Sequence, residues 1–358
     1  MFSSSPIPKD HISILLGSRG RPALLERFFQ SVAATVTNPR RIEVAVYFDD
    51  DDLPTQQCVQ DATTKYPFPV RPHIATTPAA LGNIGNILWK TSPHRGGIFA
   101  PACDDFVYST VGWDELILEA FSRYPDRIAM VYPPDPGGAE CATTPVLSDQ
   151  WLTLLGYYFV GYFPFWFDDV WIDEVAQMVQ RRHPIPTIFL SPGGKGKTMR
   201  MRNLIFWQRF YLIMIVERLA AAKKLRKQLY PAGSEEFRNS ELLGLQLAQS
   251  FIAKHDHSDE SLFYIERDLR ADTDWKDPRI VARYMSIETG AVNRLVHLLS
   301  IALRHNDSGT VGRILGALCH SATRLPEIDA LRERFGLAAN YHELPRFELG
   351  EDDLLNRS

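Results

Sequence analysis

Four cysteines occur in 358 residues, and no two form a C-x-x-C pair. Cys58, Cys103, Cys141 and Cys319 have the spacing of neither a disulfide framework nor a zinc site, so a reducing cytosol is the expected compartment. Positive charge is not in surplus either. Lys and Arg number 39 against 43 Asp and Glu, for a formal net charge of −4, so no general basic field marks a nucleic-acid binder. The opening MFSSSPIPKD lacks the basic and then apolar pattern of a signal peptide. The uncharged stretch from Trp151 to Phe167 is interrupted by Gly156, Gly161 and Pro164. It falls short of the roughly 20 apolar residues of a membrane span, and a buried or substrate-facing segment is expected. Internal repeats and low-complexity segments are absent.

What the chain has is an ordinary globular composition, 45% hydrophobic and 23% charged, at a length that suits about two domains. Strand-like and helix-like segments alternate. His11 to Leu16, Ile42 to Phe48, Val70 to Ala75, Gly97 to Ala102 and Ile128 to Tyr132 read as strands. Arg21 to Ala34, Gln56 to Lys65, Leu81 to Lys90 and Trp113 to Arg123 read as helices. That alternation predicts an α/β fold with a mostly parallel sheet flanked by helices. After about residue 200 only helical patterns remain: Leu204 to Leu229, Ser240 to His255, Asp277 to Ser286, Gly290 to His305 and Ser308 to Leu325. The expected division is a catalytic domain over 1–200 and a helical C-terminal domain over 201–358, with an acidic, frayed end. The helix ending in KKLRK is basic and amphipathic. Such helices lie on membrane surfaces, pack on their own domain or join a second subunit, so peripheral membrane contact and a homo-oligomer stay open.

In an open parallel sheet, ligands bind outside the carboxyl ends of the strands. Two expected strands end there in acid: Asp49 to Asp52 after the second, and Asp104 with Asp105 after the fourth. Hard cations such as Mg²⁺ and Mn²⁺ take one or two carboxylates plus phosphate oxygens. A third acidic pair, Asp168 and Asp169 in FWFDDVWIDEVA, stands just before a helical pattern. Carboxylates there cap the helix and complement its dipole, or serve as a general base.

The order ISILLGSRGRPALLERFFQSV, VAVYFDDDD, LGNIGNILW, FAPACDDFVYSTVGWDELI and FWFDDVWIDEVA resembles the GT-A fold, Rossmann-like, of family-2-type inverting glycosyltransferases. The match covers roughly residues 10 to 200. It implies a sugar transferred from a nucleotide-diphosphate sugar, a UDP- or GDP-sugar, to an acceptor hydroxyl, with a divalent cation, Mn²⁺ or Mg²⁺. It places Ser18, Arg19 and Arg21 near the nucleotide, Asp49 or Asp50 on the base, and Asn83 and Asn86 near ribose or phosphate. The metal-binding D-x-D position falls on Cys103, Asp104 and Asp105, with Cys103 in place of the usual first Asp. The resemblance makes Asp169 the general base, Asp168 its capping or orienting neighbour, and the aromatics from Tyr157 to Phe167 part of an acceptor site that otherwise reads as core. His183, in RRHPIP, stands where the resembled enzymes often have a metal-ligating histidine; a loop residue is the plainer reading, as is a surface loop for His255 and His257.

The stretch SPGGKGKTMR, Ser191 to Arg200, ends like a P-loop but has Ser191 where G-x-x-x-x-G-K-[ST] requires glycine. It also follows a nearly complete α/β domain. Lys195 and Lys197, with Arg200 and Arg202, are candidates to neutralise a departing diphosphate, or form a basic linker between domains. A P-loop NTPase or phosphotransferase using Lys197, and a non-catalytic binding protein of the same fold, are the alternatives.

Overall fold

The computed structural model describes residues 9–76, 79–94, 96–135, 137–164, 166–192, 203–258, 261–262, 278–321 and 323. Lys195, Lys197, Arg200 and Arg202, and so the G-K-T loop, lie outside them, as does the acidic C-terminal end. Seven strands form the main sheet, in the order β3 (Val70–Ala75), β2 (Ile42–Asp49), β1 (Ile12–Gly17), β4 (Ile98–Cys103), β7 (Val146–Ser148), β6 (Met130–Tyr132), β8 (Arg182–Pro184). Pairings are parallel except at β7, which runs antiparallel to β4 and β6. The mostly parallel sheet expected from the alternation is present. Two short strands, β5 (Phe106–Tyr108) and β9 (Leu190–Pro192), pair antiparallel beside it.

The sheet's alternation feeds two cores, because successive side chains point to opposite faces. Ile12, Ile14 and Leu16 of β1 and Ile42, Val44, Val46 and Phe48 of β2 pack with helices α1 (Pro22–Thr35), α2 (Leu53–Lys65) and α4 (Trp113–Ser122). Leu15, Ala45 and Tyr47 face α3 (Leu81–Lys90), α5 (Asp149–Leu155) and α6 (Asp168–Met178). This second core continues into α7 (Leu204–Ile213), α8 (Ile215–Leu229), α9 (Glu235–His255), α10 (Pro278–Arg304) and α11 (Ser308–Leu318). Among the described residues no helix is long and apolar enough to cross a membrane.

The C-terminal pattern differs from the expected one in two places. Leu204 to Leu229 is two helices, broken at Met214. An unbroken ladder would give the Tyr211 carbonyl to the Ile215 N–H; here it accepts from Arg218 Nη1 at 2.8 Å. Conversely, one 27-residue helix, α10, spans the expected break before Gly290. Its buried face of Ala291, Val292, Leu295, Leu299 and Ala302 outweighs the roughly 1 kcal/mol a helical glycine costs.

Candidate functional site

The register brings three strand ends level. Gly17 of β1 lies opposite Tyr47 of β2 and Cys103 of β4. Because β2 and β4 leave β1 on opposite sides, the β1–β4 boundary is the switch point where an open α/β sheet forms its ligand crevice. The structure bridges that boundary. Ser18 Oγ donates to Asp104 Oδ2 at 2.6 Å. Arg21 Nη2 stands 2.9 Å from Asp104 Oδ1, and its Nη1 is 3.8 Å from Asp105. Burial pushes the Asp104 carboxyl above its usual range, against the pull of Ser18 and Arg21. Asp105 stays half-buried.

The β2 side is organised by the β1 loop. Arg19 reaches Asp49 at 2.5 Å and Asp51 at 2.7 Å. The Gly20 N–H donates to Asp52 Oδ2 at 2.6 Å, while Asp52 Oδ1 caps α2 through the Thr55 N–H. Asp50 is exposed, and its N–H donates to the Ala75 carbonyl at 2.9 Å. A residue from far along the chain joins this cluster: Arg279 of α10 pairs with Asp51. One helical turn later, Arg283 Nη1 donates to the Ala79 carbonyl at 2.6 Å. Neither arginine was a candidate from the sequence, since nothing local distinguishes an arginine that reaches a site from one that faces solvent.

The third acidic pair opens α6 rather than preceding it, in the first turn after Phe167. Asp168 is not a side-chain cap. Its Oδ1 accepts from the Gly161 N–H at 3.3 Å, and its carboxyl packs on α3. Burial, with Asp169 adding, pushes it well above the carboxylate range. Asp169 is half-buried and accepts from the Val170 N–H at 2.8 Å. Burial raises it to about 6, with Asp173 and Asp135 adding and backbone N–H groups opposing. The Cys103 thiol senses both acidic groups. Burial first, then Asp105, Asp104 and Asp169, push it up to about 12 against Arg21. The strand-end carboxylates and Asp169 of α6 thus lie within electrostatic reach of one side chain.

The two asparagines sit on α3 between these groups. Asn86 Nδ2 donates to the Phe159 carbonyl at 2.7 Å, and its Oδ1 accepts from the Tyr158 N–H at 2.6 Å. It therefore pins the loop that leads to Asp168. Asn83 Oδ1 lies against Gly161, where an added Cβ would approach to 2.5 Å. Most of the aromatic stretch is core: Trp151, Tyr158 and Phe163 are fully buried. Trp166 is the exception, nearly half exposed. Trp166 and Phe167 both hold positive φ, 51° and 62°, a conformation costing about 1–2 kcal/mol per non-glycine residue. Backbone of this kind is common at functional sites, and here it stands immediately before the acidic pair. His183 sits on β8 against Tyr124, and His255 is paired with Glu174 rather than in a surface loop.

No family model matches the chain, and no curated protein matches it in sequence. Solved structures show partial likeness. The mannosyltransferase PcManGT from Pyrobaculum calidifontis, in complex with GDP-Man and Mn²⁺, is 12% identical, with a TM-score of 0.44, 81% of this chain and 89% of that one covered. S. aureus TarS 1–349 in complex with UDP is 11% identical, with a TM-score of 0.49 over 90% of this chain and 83% of that one. The 4-diphosphocytidyl-2C-methyl-D-erythritol synthase from Anaerococcus prevotii is 14% identical, with a TM-score of 0.34 over 51% of this chain and 90% of that one. At this level of likeness, residue roles follow from the chain's own geometry.

That geometry fits a hard divalent cation at Asp105. Asp104 is spent on Ser18 and Arg21, and the Cys103 thiol is protonated at neutral pH. One accessible carboxylate at a strand end suits a cation whose remaining ligands are phosphate oxygens and water. β9 adds a further element. It pairs Pro192 with Phe106, the residue after Asp105, so β9 ends beside the acidic pair.

The contact between α3 and α6 is testable. A Cβ on Gly82 would lie 2.2 Å from Asp168 Oδ2. Alanine ordinarily improves a helix over glycine by about 1 kcal/mol; Gly82→Ala is expected instead to destabilise by about 1–3 kcal/mol through overpacking. Urea denaturation of the two proteins measures the sign.

Proposed function

We propose that the chain is a glycosyltransferase that moves a sugar from a nucleotide-diphosphate sugar to an acceptor hydroxyl, with inversion at the anomeric carbon. One observation carries the reading. Carboxylates after β2, after β4 and at the start of α6 converge on the carboxyl edge of the sheet, at its switch point. Phosphate-bearing ligands of α/β sheets sit in that crevice.

Residues 1–200 supply the reacting groups in this reading, and 201–358 brace them. Asp49 accepts from the base, with Arg19, Arg279 and Arg283 as the cationic wall beside it. Ser18 and Asp104 fix Arg21 next to the diphosphate. Asp105 would hold a divalent cation, which when bound would offset the charge of the leaving group. Asp169 takes the proton of the acceptor hydroxyl as its oxygen bonds to the anomeric carbon. The bond from that carbon to the diphosphate oxygen breaks, and the nucleoside diphosphate leaves with the bonding pair. Asp168, whose carboxyl burial pushes upward, contacts Gly82 and Gly161 and sets the start of α6. Trp166 offers an exposed aromatic face for an acceptor ring.

A thermal-shift panel of UDP- and GDP-sugars, with and without Mn²⁺, tests the donor assignment. Stabilisation by one nucleotide-sugar class, larger with Mn²⁺ and reduced in Asp105→Asn, is the expected outcome. Stabilisation by ATP or GTP alone would favour a phosphotransferase using Lys197. Donor binding with neither sugar transfer nor hydrolysis would favour a binding protein, for which Cys103 in the D-x-D position speaks.

A further inference from the structure

At the opposite edge of the sheet, about 20 Å from the carboxyl ends at roughly 3.3 Å per residue, three metal-ligating side chains meet. His11 precedes β1, Glu43 is the second residue of β2, and His94 lies in the turn between α3 and β4. One ligand atom from each falls within 4.8 Å of the others. His11 and Glu43 are buried, at 5% and 2% exposure, and His94 is partly open to solvent. His94 Nε2 stands 3.3 Å from Glu43 Oε2. The two imidazoles stack with centroids 3.6 Å apart and a 24° tilt. His11 Nε2 is buried without any hydrogen-bond partner, a condition most buried polar atoms avoid.

We propose that His11, Glu43 and His94 form a binding site for a divalent d-block cation of the Zn²⁺ class, separate from the transferase crevice. Two imidazoles and one carboxylate are a known zinc set that leaves a fourth position for water, and the solvent-facing side at His94 provides it. The surroundings supply the second layer such sites use to orient a carboxylate. Ser13 Oγ donates to Glu43 Oε1 at 2.7 Å and Ser92 Oγ at 3.2 Å, while Arg71 lies 3.4 Å from both oxygens. Ser13 pairs in register with Glu43, so His11, Ser13 and Glu43 share one face of the sheet. Tetrahedral zinc, with bonds near 2.0–2.1 Å, sets its ligand atoms roughly 3.3 Å apart; the stacked rings splay to reach this, and the His11 Nε2 lone pair gains a partner. A hard cation held by phosphate would choose Asp105 instead, so the two sites differ in ligand softness.

The test uses the full chain, stripped with a chelator and without nucleotide. Equilibrium dialysis against Zn²⁺ gives stoichiometry, and Co²⁺ absorption reports tetrahedral nitrogen ligation. The wild type is expected to bind one equivalent. Asp105→Asn leaves this unchanged. His94→Gln, at the solvent-facing ligand, weakens it about tenfold or more and removes the tetrahedral Co²⁺ bands, and His11→Gln does the same where it folds. Absence of binding by the wild type, or equal binding by His94→Gln, overturns the site.

Discussion

Asp169→Asn is expected to lower the rate of sugar transfer by about 10²–10⁴-fold, the usual contribution of a positioned general base, while donor binding in a thermal-shift assay is unchanged. The substitution keeps the shape and the oxygen that accepts the Val170 N–H, so it removes basicity alone. Burial holds the Asp169 carboxyl at about 6, against about 3.9 for aspartate in water. The base form therefore accumulates above pH 6, and wild-type kcat/KM should rise through that pH and then level. Stability runs the other way. A carboxyl whose folded pKa is raised favours the fold at low pH and loses that contribution as pH climbs from about 4 to 6. The Asn variant should consequently be no less stable at pH 7. Turnover within a few-fold of wild type, or an unchanged inflection near pH 6 in the variant, would assign the proton to another group.

The acidic strand ends were legible in the sequence because their signals are local. β1, β2 and β4 are mostly apolar or β-branched, and the acids that end β2 and β4 follow them directly. Their meeting at one edge is a consequence of parallel pairing. The Asp168-Asp169 pair was visible as acid before an apolar helix, yet its geometry was not. The Gly82 contact that fixes Asp168, and the Asn86 bonds that pin the preceding loop, join α3 to residues more than seventy positions away. β5, β7, β8 and β9 are three residues each, too short for a period to show. Arg279 reaches Asp51 across 228 positions. What read as a separate helical region shares one core with the sheet, because apolar periodicity shows that a helix buries a face but not which surface it covers.

That shared core contains the other large expected effect. Arg218 of α8 is fully buried, with Nε 2.9 Å from Glu174 Oε2 on α6. His255 Nε2 lies 2.9 Å from the other Glu174 oxygen. The guanidinium also covers the Tyr211 ring at 3.8 Å and donates to the Tyr211 carbonyl. Desolvating such a pair costs about as much as its attraction returns, so it adds little net stability; removing one partner leaves a buried charge and costs about 3–5 kcal/mol. Arg218→Met, close in volume, is therefore expected to lower the melting temperature by roughly 4–7 °C for a chain of this length. Adding Glu174→Gln should recover much of the loss, since the orphaned charge goes with it, and the double-mutant cycle reads the coupling. Equal destabilisation with and without Glu174→Gln would mean that packing on Tyr211, and not charge, holds Arg218. The pair's value lies in position. Glu174 lies about 1.4 helical turns beyond Asp169, so α8 and α9 fix the helix that presents Asp169, the proposed base. Transfer by Arg218→Met should accordingly fall even at temperatures where the chain stays folded, with donor binding at the strand ends less affected than turnover.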